Sequence, residues 1–416
     1  MRQNNPVIPL LTCDQLDAAA DRLRPVLRPS PVIASRVLSE HTGQPTWLKC
    51  ENLQHTGSFK ARGAYHRIAG LSAAERARGV VAASAGNHAQ GVAWAATELG
   101  IASTVFMPVT VALPKLLATK GYGAQVHLVG DTVDEALAAA LDYALRHDAV
   151  FIHPFDHADV IAGQATVGLE ILHQIPDVAT IVVPTGGGGL LAGIATAAHH
   201  LAPHVRVVGV QAANAAAWPA SLAAGHPVRL ESMSTIADGI AVAMPGAVTF
   251  AHVAAFADSV RTVTEDALSH ALLLCMERAK LVVEPAGAAA VAALMTLAPE
   301  LALSGPVCAV LSGGNIDPLV STHVITHGLR AAGRYLSVTV TIPDRPGALG
   351  RLLDVVGASG ASVLDVVHSR TARRLALDEV EVRLTVETRG PEHRDEVLAA
   401  LTGAKFVVSV EDNQRR

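Results

Sequence analysis

The 416-residue chain has only four cysteines, Cys13, Cys50, Cys275 and Cys308, and no two of them form a Cys-x-x-Cys pair. That scatter argues against a zinc site and fits buried thiols in a reducing cytoplasm. The 19 histidines show no metal-ligand spacing, so none is assigned to a metal. Basic residues are not in excess either: 32 Lys and Arg stand against 37 Asp and Glu, a net charge of -5, which leaves no footprint for nucleic acid or an anionic membrane. Nor is any apolar run long enough to span a bilayer. The hydrophobic share of 50% owes much to alanine, and the most apolar helical stretch, Ala286 to Ala298, is too short and is followed by Pro299-Glu300. The first residues, Met1 to Pro6, lack the apolar core of a signal peptide, so a cytoplasmic protein of two or three domains is expected.

What the sequence does have is a set of small-residue turns, each placed after an apolar strand-like run. Gly57-Ser58-Phe59-Lys60-Ala61-Arg62-Gly63-Ala64 runs into a helix with a lysine at its mouth. An amine there, desolvated and near the positive end of the helix dipole, has a lowered pKa and can condense with an aldehyde to form an imine. The plain alternative is a solvated surface lysine. Ser84-Ala85-Gly86-Asn87-His88-Ala89-Gln90-Gly91 follows Val80 to Ala83, Thr185-Gly186-Gly187-Gly188-Gly189-Leu190 follows Ile181 to Val183, and Ser312-Gly313-Gly314-Asn315 follows Val307 to Leu311. Each is read as opening a helix, the geometry that presents free backbone N–H groups to an anion.

The glycine turn also matches a relaxed dinucleotide fingerprint, Gly187-x-Gly189-x-x-Ala192. That reading requires an acid at the end of the next strand, and Val205 to Val210 ends in Gln211 instead. With no Gly-x-x-x-x-Gly-Lys-Ser/Thr loop present, NAD and ATP are both disfavoured, and a single phosphate on the helix N-terminus fits better.

Taken together and in this order, the four motifs resemble the threonine dehydratases, pyridoxal-phosphate enzymes of the tryptophan-synthase-β fold type, over about residues 10 to 330. The resemblance implies an α/β catalytic domain, 1–328, of fold type II, with two parallel-sheet subdomains and the smaller, about 53–150, inserted in the larger. It implies pyridoxal 5'-phosphate as cofactor and Lys60 as both its covalent anchor and the catalytic base. Further cofactor contacts implied are Phe59, Asn87, the turn Gly186, Gly187, Gly188, Gly189 and Leu190, and then Gly239, Glu284 and Ser312. A neutral hydroxyl such as Ser312 at the ring nitrogen leaves the ring a weak electron sink, which suits elimination and discourages transamination. Asn87 would face the phenolic oxygen, although it would also serve as a helix cap. The loop Ser84, Ala85, Gly86, Asn87 and His88 would hold the substrate carboxylate, with a hydrogen-bonded structural histidine as the alternative for His88. Gly239 would approach the ring through its backbone, or simply make a turn. Glu284 stands in an apolar run and needs a partner if buried.

Two departures from relatives narrow the reaction. Serine racemases of this fold carry a serine where this chain has Ala85, so racemisation is not expected. Some relatives place acidic ligands for a divalent cation where Gln211 and Ala217 stand here, so no metal requirement is expected. The implied reaction converts L-threonine to 2-oxobutanoate and ammonia, with L-serine a poorer substrate.

Beyond a linker at 329–335, the segment 336–416 reads as strand, helix, strand, strand, helix, strand, a βαββαβ ferredoxin-like order. Its turn Asp344-Arg345-Pro346-Gly347-Ala348-Leu349 resembles the ACT domains, which bind amino acids near such a turn. That implies an amino-acid effector, with isoleucine the expected inhibitor of a biosynthetic enzyme, and a homo-oligomer, dimer or tetramer. A module that only dimerises, a catabolic enzyme indifferent to isoleucine, and a non-enzymatic amino-acid sensor are the alternatives.

Overall fold

Runs of β-branched and small apolar residues bounded by turn residues become strands wherever both faces can be covered. The computed structural model describes residues 8–370 and 375–410. Met1 to Pro6 and the last six residues of the 336–416 segment therefore lie outside the described residues. The chain divides into two compact units, one ending at Ser321 and the other beginning at Thr322.

The described residues of the first unit hold ten strands. They are β1 (Val32–Ala34), β2 (Thr46–Cys50), β3 (Val80–Ala83), β4 (Ser103–Met107), β5 (Gln125–Leu128), β6 (Val150–Phe151), β7 (Thr180–Pro184), β8 (Arg206–Ala212), β9 (Ser259–Val263) and β10 (Val307–Leu311). A six-stranded sheet runs β1-β2-β10-β7-β8-β9, parallel throughout except for the β1–β2 pair. A second sheet, β5-β4-β3-β6, is fully parallel and is inserted between β2 and β7. The inner strands β3, β4, β7 and β10 are buried at every residue, as a sheet covered on both faces requires.

Helix Ala158–Gln174 joins the two subdomains, packing on helix Gly189–Leu201 of the larger and on helix Lys60–Ala69 of the smaller. It approaches both closely because small residues face small residues. Gly163 meets the backbone of Arg62 and Gly63, and Gly193 meets that of Ile161 and Ala165. A large side chain at any of these positions would wedge the helix that carries Lys60 away from its seat.

The second unit contains β11 (Tyr335–Pro343), β12 (Ser362–Ser369), β13 (Glu379–Glu387) and β14 (Val407–Val410), with helices Ala348–Ala358 and Pro391–Gly403. The sheet order is β12-β13-β11-β14 and every pair is antiparallel, the βαββαβ arrangement expected. Alternate residues of β11 and β13 (Leu336, Val338, Val340, Ile342; Val380, Val382, Leu384, Val386) form its core with Leu352, Val356, Val397 and Leu401 of the helices.

Four readings are corrected. The Ser312 turn does not open a helix directly; the next helix, Pro318–Ala331, starts three residues after Asn315. That same helix carries the unit boundary and covers the first part of the stretch read as a linker, 329–335. Of the four cysteines read as buried thiols, Cys50, Cys275 and Cys308 are buried, but Cys13, the first residue of helix Cys13–Leu23, is exposed. The apolar stretch from Ala286 becomes helical only at Ala289, and that helix ends at Thr296.

Candidate active site

A cavity of about 1060 Å³ opens between the two sheets of the first unit, and every residue singled out from the sequence, from Phe59 to Ser312, lines it. Its parts arrive from the C-terminal ends of parallel strands, the usual place for a site in such folds.

Lys60 is the first residue of helix Lys60–Ala69. Its Nζ donates to the carbonyl of Pro154 at 2.8 Å and lies 5.2 Å from the centre of the Phe59 ring. Burial lowers its pKa to about 8, with the Glu284 carboxylate pulling the other way. Desolvation thus does what the helix dipole was expected to do. Roughly one amine in ten is then neutral at pH 7, against well under one in a thousand for an ordinary lysine.

The loop carrying Lys60 is stitched to the Ser312 turn. Phe59 N donates to Ser312 O (3.2 Å), Gly314 N donates to Gly57 O (2.9 Å), and Ser58 bridges Gly313. Glu284 N donates to Gly313 O (3.1 Å), which brings the fourth element in. Ser312, at the end of β10, is buried against the cavity. A Cβ on Gly313 would run into the Glu284 carboxylate and press on the Asn87 amide, so any other residue here would displace that pair.

Glu284 has the partner that its burial requires. Asn87 Nδ2 donates to Glu284 Oε1 at 2.6 Å, and Asn87 Oδ1 accepts from Asn315 Nδ2 at 2.7 Å. Asn315 also donates to Thr56 O (2.6 Å). The Asn87 side chain is therefore fixed from both ends, so it does not cap its helix. Burial, reinforced by Asp238, pushes the Glu284 pKa up to about 7. Gly239 lies beside this group: a Cβ there would come within 2.9 Å of Ala286 Cβ and 3.5 Å of Glu284 Oε1.

The glycine turn caps helix Gly189–Leu201 with no side chain in the way. Gly188 has φ +98°, and a Cβ there would collide with Trp218; at Gly187 it would collide with the Phe155 ring. Trp218 Nε1 donates to Gly186 O (2.7 Å) and Thr249 Oγ1 to Gly187 O (2.7 Å), so two carbonyls of the turn are tied back into the protein while Gly186 to Leu190 line the cavity. This is a cradle for a phosphate-sized anion.

On the opposite wall, Ser84 Oγ accepts from Gly86 N (3.1 Å), holding the Ser84–His88 loop in shape. His88 turns its ring away. Its Nε2 donates to Ile152 O (2.8 Å), and burial, helped by Lys60, lowers its pKa to about 3, so it is a neutral structural histidine contributing its backbone to the loop. His153 is similar, with Nδ1 accepting from Asp156 N (2.8 Å) and a pKa that burial lowers to about 4.

Beneath the cavity floor lies a charge network that the sequence did not disclose. Arg62 binds both oxygens of Glu51 (2.8 Å each) and both of Glu170 (2.6 and 2.9 Å), and Lys49 Nζ donates to Glu170 Oε2 at 2.5 Å. Arg62, Lys49 and Glu51 are at most 1% exposed. Two cations and two carboxylates balance, which is what makes their burial tolerable. Sequence reasoning missed the Pro154 carbonyl, the Asn315 clamp and the Glu170 side of this network because those partners are 94 to 259 residues distant, and it missed Arg62–Glu51, 11 residues apart, because no regular element spans the pair. The one available signal was that Asn315 and Arg62 sit inside motifs.

The residues present fit pyridoxal 5'-phosphate: a buried amine of lowered pKa, a side-chain-free helix N-terminus for a phosphate, and a hydroxyl and an amide on the walls between them. Residues 23–313 match the model of the family described as pyridoxal-phosphate dependent enzyme. The chain is 46% identical to the L-threonine ammonia-lyase of Geobacter sulfurreducens over 395 residues, 95% of this chain and 98% of that protein. It is 42% identical to the catabolic L-threonine dehydratase TdcB of Staphylococcus aureus over 326 residues, 78% of this chain and 94% of that one. Among solved structures it is similar to the processed form of threonine deaminase isoform 2 from Solanum lycopersicum, with a TM-score of 0.72 and 35% identity over 76% of this chain and 94% of that chain.

Proposed function

The chain belongs to the pyridoxal-phosphate dependent enzymes, and from that premise we propose that it is an L-threonine ammonia-lyase, forming 2-oxobutanoate and ammonia. The observation that carries this reading is the buried Lys60 amine, its pKa held at about 8, in one cavity with the glycine turn, Asn87, Glu284 and Ser312.

When bound, the cofactor supplies an aldehyde for covalent attachment and a ring that draws electrons from the substrate's Cα. The backbone N–H groups of Gly186 to Leu190 and the dipole of helix Gly189–Leu201 hold its phosphate. Ser312 would offer a neutral hydroxyl to the ring, which keeps it a modest electron sink, and Asn87, Phe59 and Gly239, which line the same cavity, would help to hold it. The Ser84–His88 loop holds the substrate carboxylate. Lys60, neutral in a useful fraction and held by Pro154, would take the Cα proton; with a proton supplied to it the β-hydroxyl leaves as water, and addition of a water to the unsaturated product releases ammonia and gives 2-oxobutanoate. L-serine lacks one methyl and is discriminated against by about 1–3 kcal/mol.

The second unit is a regulatory module in this reading. A cavity of about 380 Å³ lies beside the turn Asp344 to Leu349, with His368 and Arg370 on its wall. An amino-acid effector, isoleucine for a biosynthetic enzyme, binds there. The similarity to the Geobacter sulfurreducens protein extends over 95% of this chain and so takes in this unit, whereas the TdcB match stops at 78%; that contrast favours the biosynthetic role over the catabolic one. Strand β12 is a sheet edge whose Val363, Leu364, Val366 and Val367 are 36 to 52% exposed, which supports self-association. The free cysteines and the lack, among the described residues, of any helix able to cross a membrane accord with a cytoplasmic place.

The test is 2-oxo-acid formation from L-threonine, with and without L-isoleucine, on wild type and Lys60→Ala. Activity lost in the variant and suppressed by isoleucine is expected. Activity indifferent to isoleucine removes the regulator, and none with threonine or serine removes the reaction.

A further inference from the structure

One cation of the cavity has no part in the chemistry above. Lys115, on helix Leu113–Gly121 of the smaller subdomain, reaches across the mouth to Asp238 of the larger, Nζ to Oδ2 at 2.6 Å. The two ends of this pair differ in their surroundings. The Lys115 side chain is 13% exposed, the Asp238 side chain 61%. If the pair opened, Asp238 would be solvated at once, while Lys115 would be left as a nearly dry ammonium.

Where Lys115 points matters as much. Its Nζ lies 3.7 Å from the position of a Cβ built on Gly86, in the middle of the Ser84–His88 loop. The other cations lining the cavity are Lys60, committed to Pro154, and Arg229, 62% exposed and 3.8 Å from Asp134. Against these three cations the lining has four acids, Asp134, Asp156, Asp238 and Glu284. A carboxylate entering such a site needs a positive charge that can be released to it. Lys115 stays charged: burial pulls its pKa down, but the Asp238 carboxylate outweighs this and raises it overall.

We propose that Lys115 is a specificity-determining residue for the substrate's carboxylate, resting on Asp238 in the free protein and turning to the carboxylate on the Ser84–His88 loop when an amino acid binds. This rests on the reading of the cavity as an amino-acid site. The exchange conserves charge: one ammonium leaves one carboxylate for another, and Asp238 goes to water. An analogue whose carboxylate is replaced by a neutral amide cannot draw Lys115 away and gains nothing from it.

The test is calorimetric titration of the cofactor-loaded protein with L-alanine and L-alaninamide. Alanine has no β-hydroxyl, so binding is read without elimination. In Lys115→Met, alanine affinity should fall at least tenfold and alaninamide affinity by less than threefold, with Lys115→Arg recovering most of the loss. In Asp238→Asn, alanine should bind several-fold tighter, since Lys115 no longer has a competing partner. Opposite signs for the two variants are the signature. Weakening by both, or equal loss for alanine and alaninamide, would mean a simple latch between subdomains and would overturn the proposal. A wild type that binds alanine yet leaves threonine unchanged would end the lyase reading while leaving this test intact; a wild type that binds neither amino acid would end both.

Discussion

The first unit buries charge and the second does not. In the first, Lys49, Glu51, Arg62 and Glu284 are each at most 3% exposed and each has a partner of opposite charge or a hydrogen-bonding amide. In the second, no Lys, Arg, Asp or Glu among the described residues is buried, and the ion pair Asp344–Arg370 is 37 and 63% exposed. The difference follows from the tasks. Proton transfer and covalent attachment need groups whose pKa values are moved, and desolvation is what moves them. The module proposed above, binding an amino acid at a surface turn, would need no buried charge, and a core without Lys, Arg, Asp or Glu suffices to hold it.

Separating the two by mutation gives the largest expected effect. Lys60→Ala should lower kcat/KM at least about a thousandfold, since it removes both the anchor and the base. A chain ended at Gly328 should retain most of the threonine activity and lose its response to isoleucine. If the shortened chain is inactive, the division of labour between the units is wrong.

Next is the charge network. Arg62→Ala would leave the buried Glu51 without a cation and Glu170 with Lys49 alone, and breaking a buried pair in this way costs about 3–5 kcal/mol. All three tryptophans, Trp47, Trp94 and Trp218, lie in the first unit, so urea unfolding followed by their fluorescence reads that unit alone. Arg62→Lys should recover only part of the loss, because an ammonium cannot bind both carboxylates as the planar fork does.

Acid should distinguish the units by a smaller margin. Burial holds His66, His88 and His153 at pKa values of about 4, 3 and 4, against 6.5 when unfolded. Between those limits the unfolded chain binds more protons, so their contribution is present above pH 6.5 and is lost as pH falls toward 3 or 4. Glu284 acts oppositely: raised from 4.5 to about 7, it favours the fold below 4.5 and ceases to as pH rises through 7. Near pH 5.5 three protons taken up on unfolding stand against one released. The net dependence is roughly 2–3 kcal/mol per pH unit in the destabilising direction on acidification. Tryptophan-detected urea midpoints of the cofactor-free protein at pH 7, 6 and 5 should fall in that order; a flat series would mean that the histidines are not held neutral.

The same contrast explains what could be read from the sequence. β3, β7 and β10 were legible because a parallel strand buried on both faces is a continuous apolar run ended by small residues. The second unit was legible for the opposite reason, its alternation of buried and exposed positions. What escaped notice lacked either mark. β1 has three residues, and β9, Ser259–Val263, is partly polar. Helix Ala217–Ala224 is small and apolar on every side, so it shows no face. In the site, Lys60, Asn87, Ser312 and the glycines were legible because backbone geometry confines them to short motifs. The contacts that tune them were not: Glu284 meets Asn87 across 197 residues, and Lys115 meets Asp238 across 123.

The smallest expected effect concerns the edge of the second sheet. β12 has one neighbour, β13, and its register shifts at Leu364, which the bulge leaves without a partner and 52% exposed. A lysine on an open edge discourages pairing with another edge, because its charge would have to be desolvated against the incoming strand. Leu364→Lys touches no core position of its own unit, so its unfolding midpoint should stay within about 0.5 kcal/mol of wild type. The Lys60 cavity lies wholly in the first unit, and kcat at saturating threonine should hold as well. What should change is the concentration dependence of association by analytical ultracentrifugation, with the smallest species favoured in the variant. An unchanged association constant would assign self-association to surfaces of the first unit and leave β12 a solvated edge.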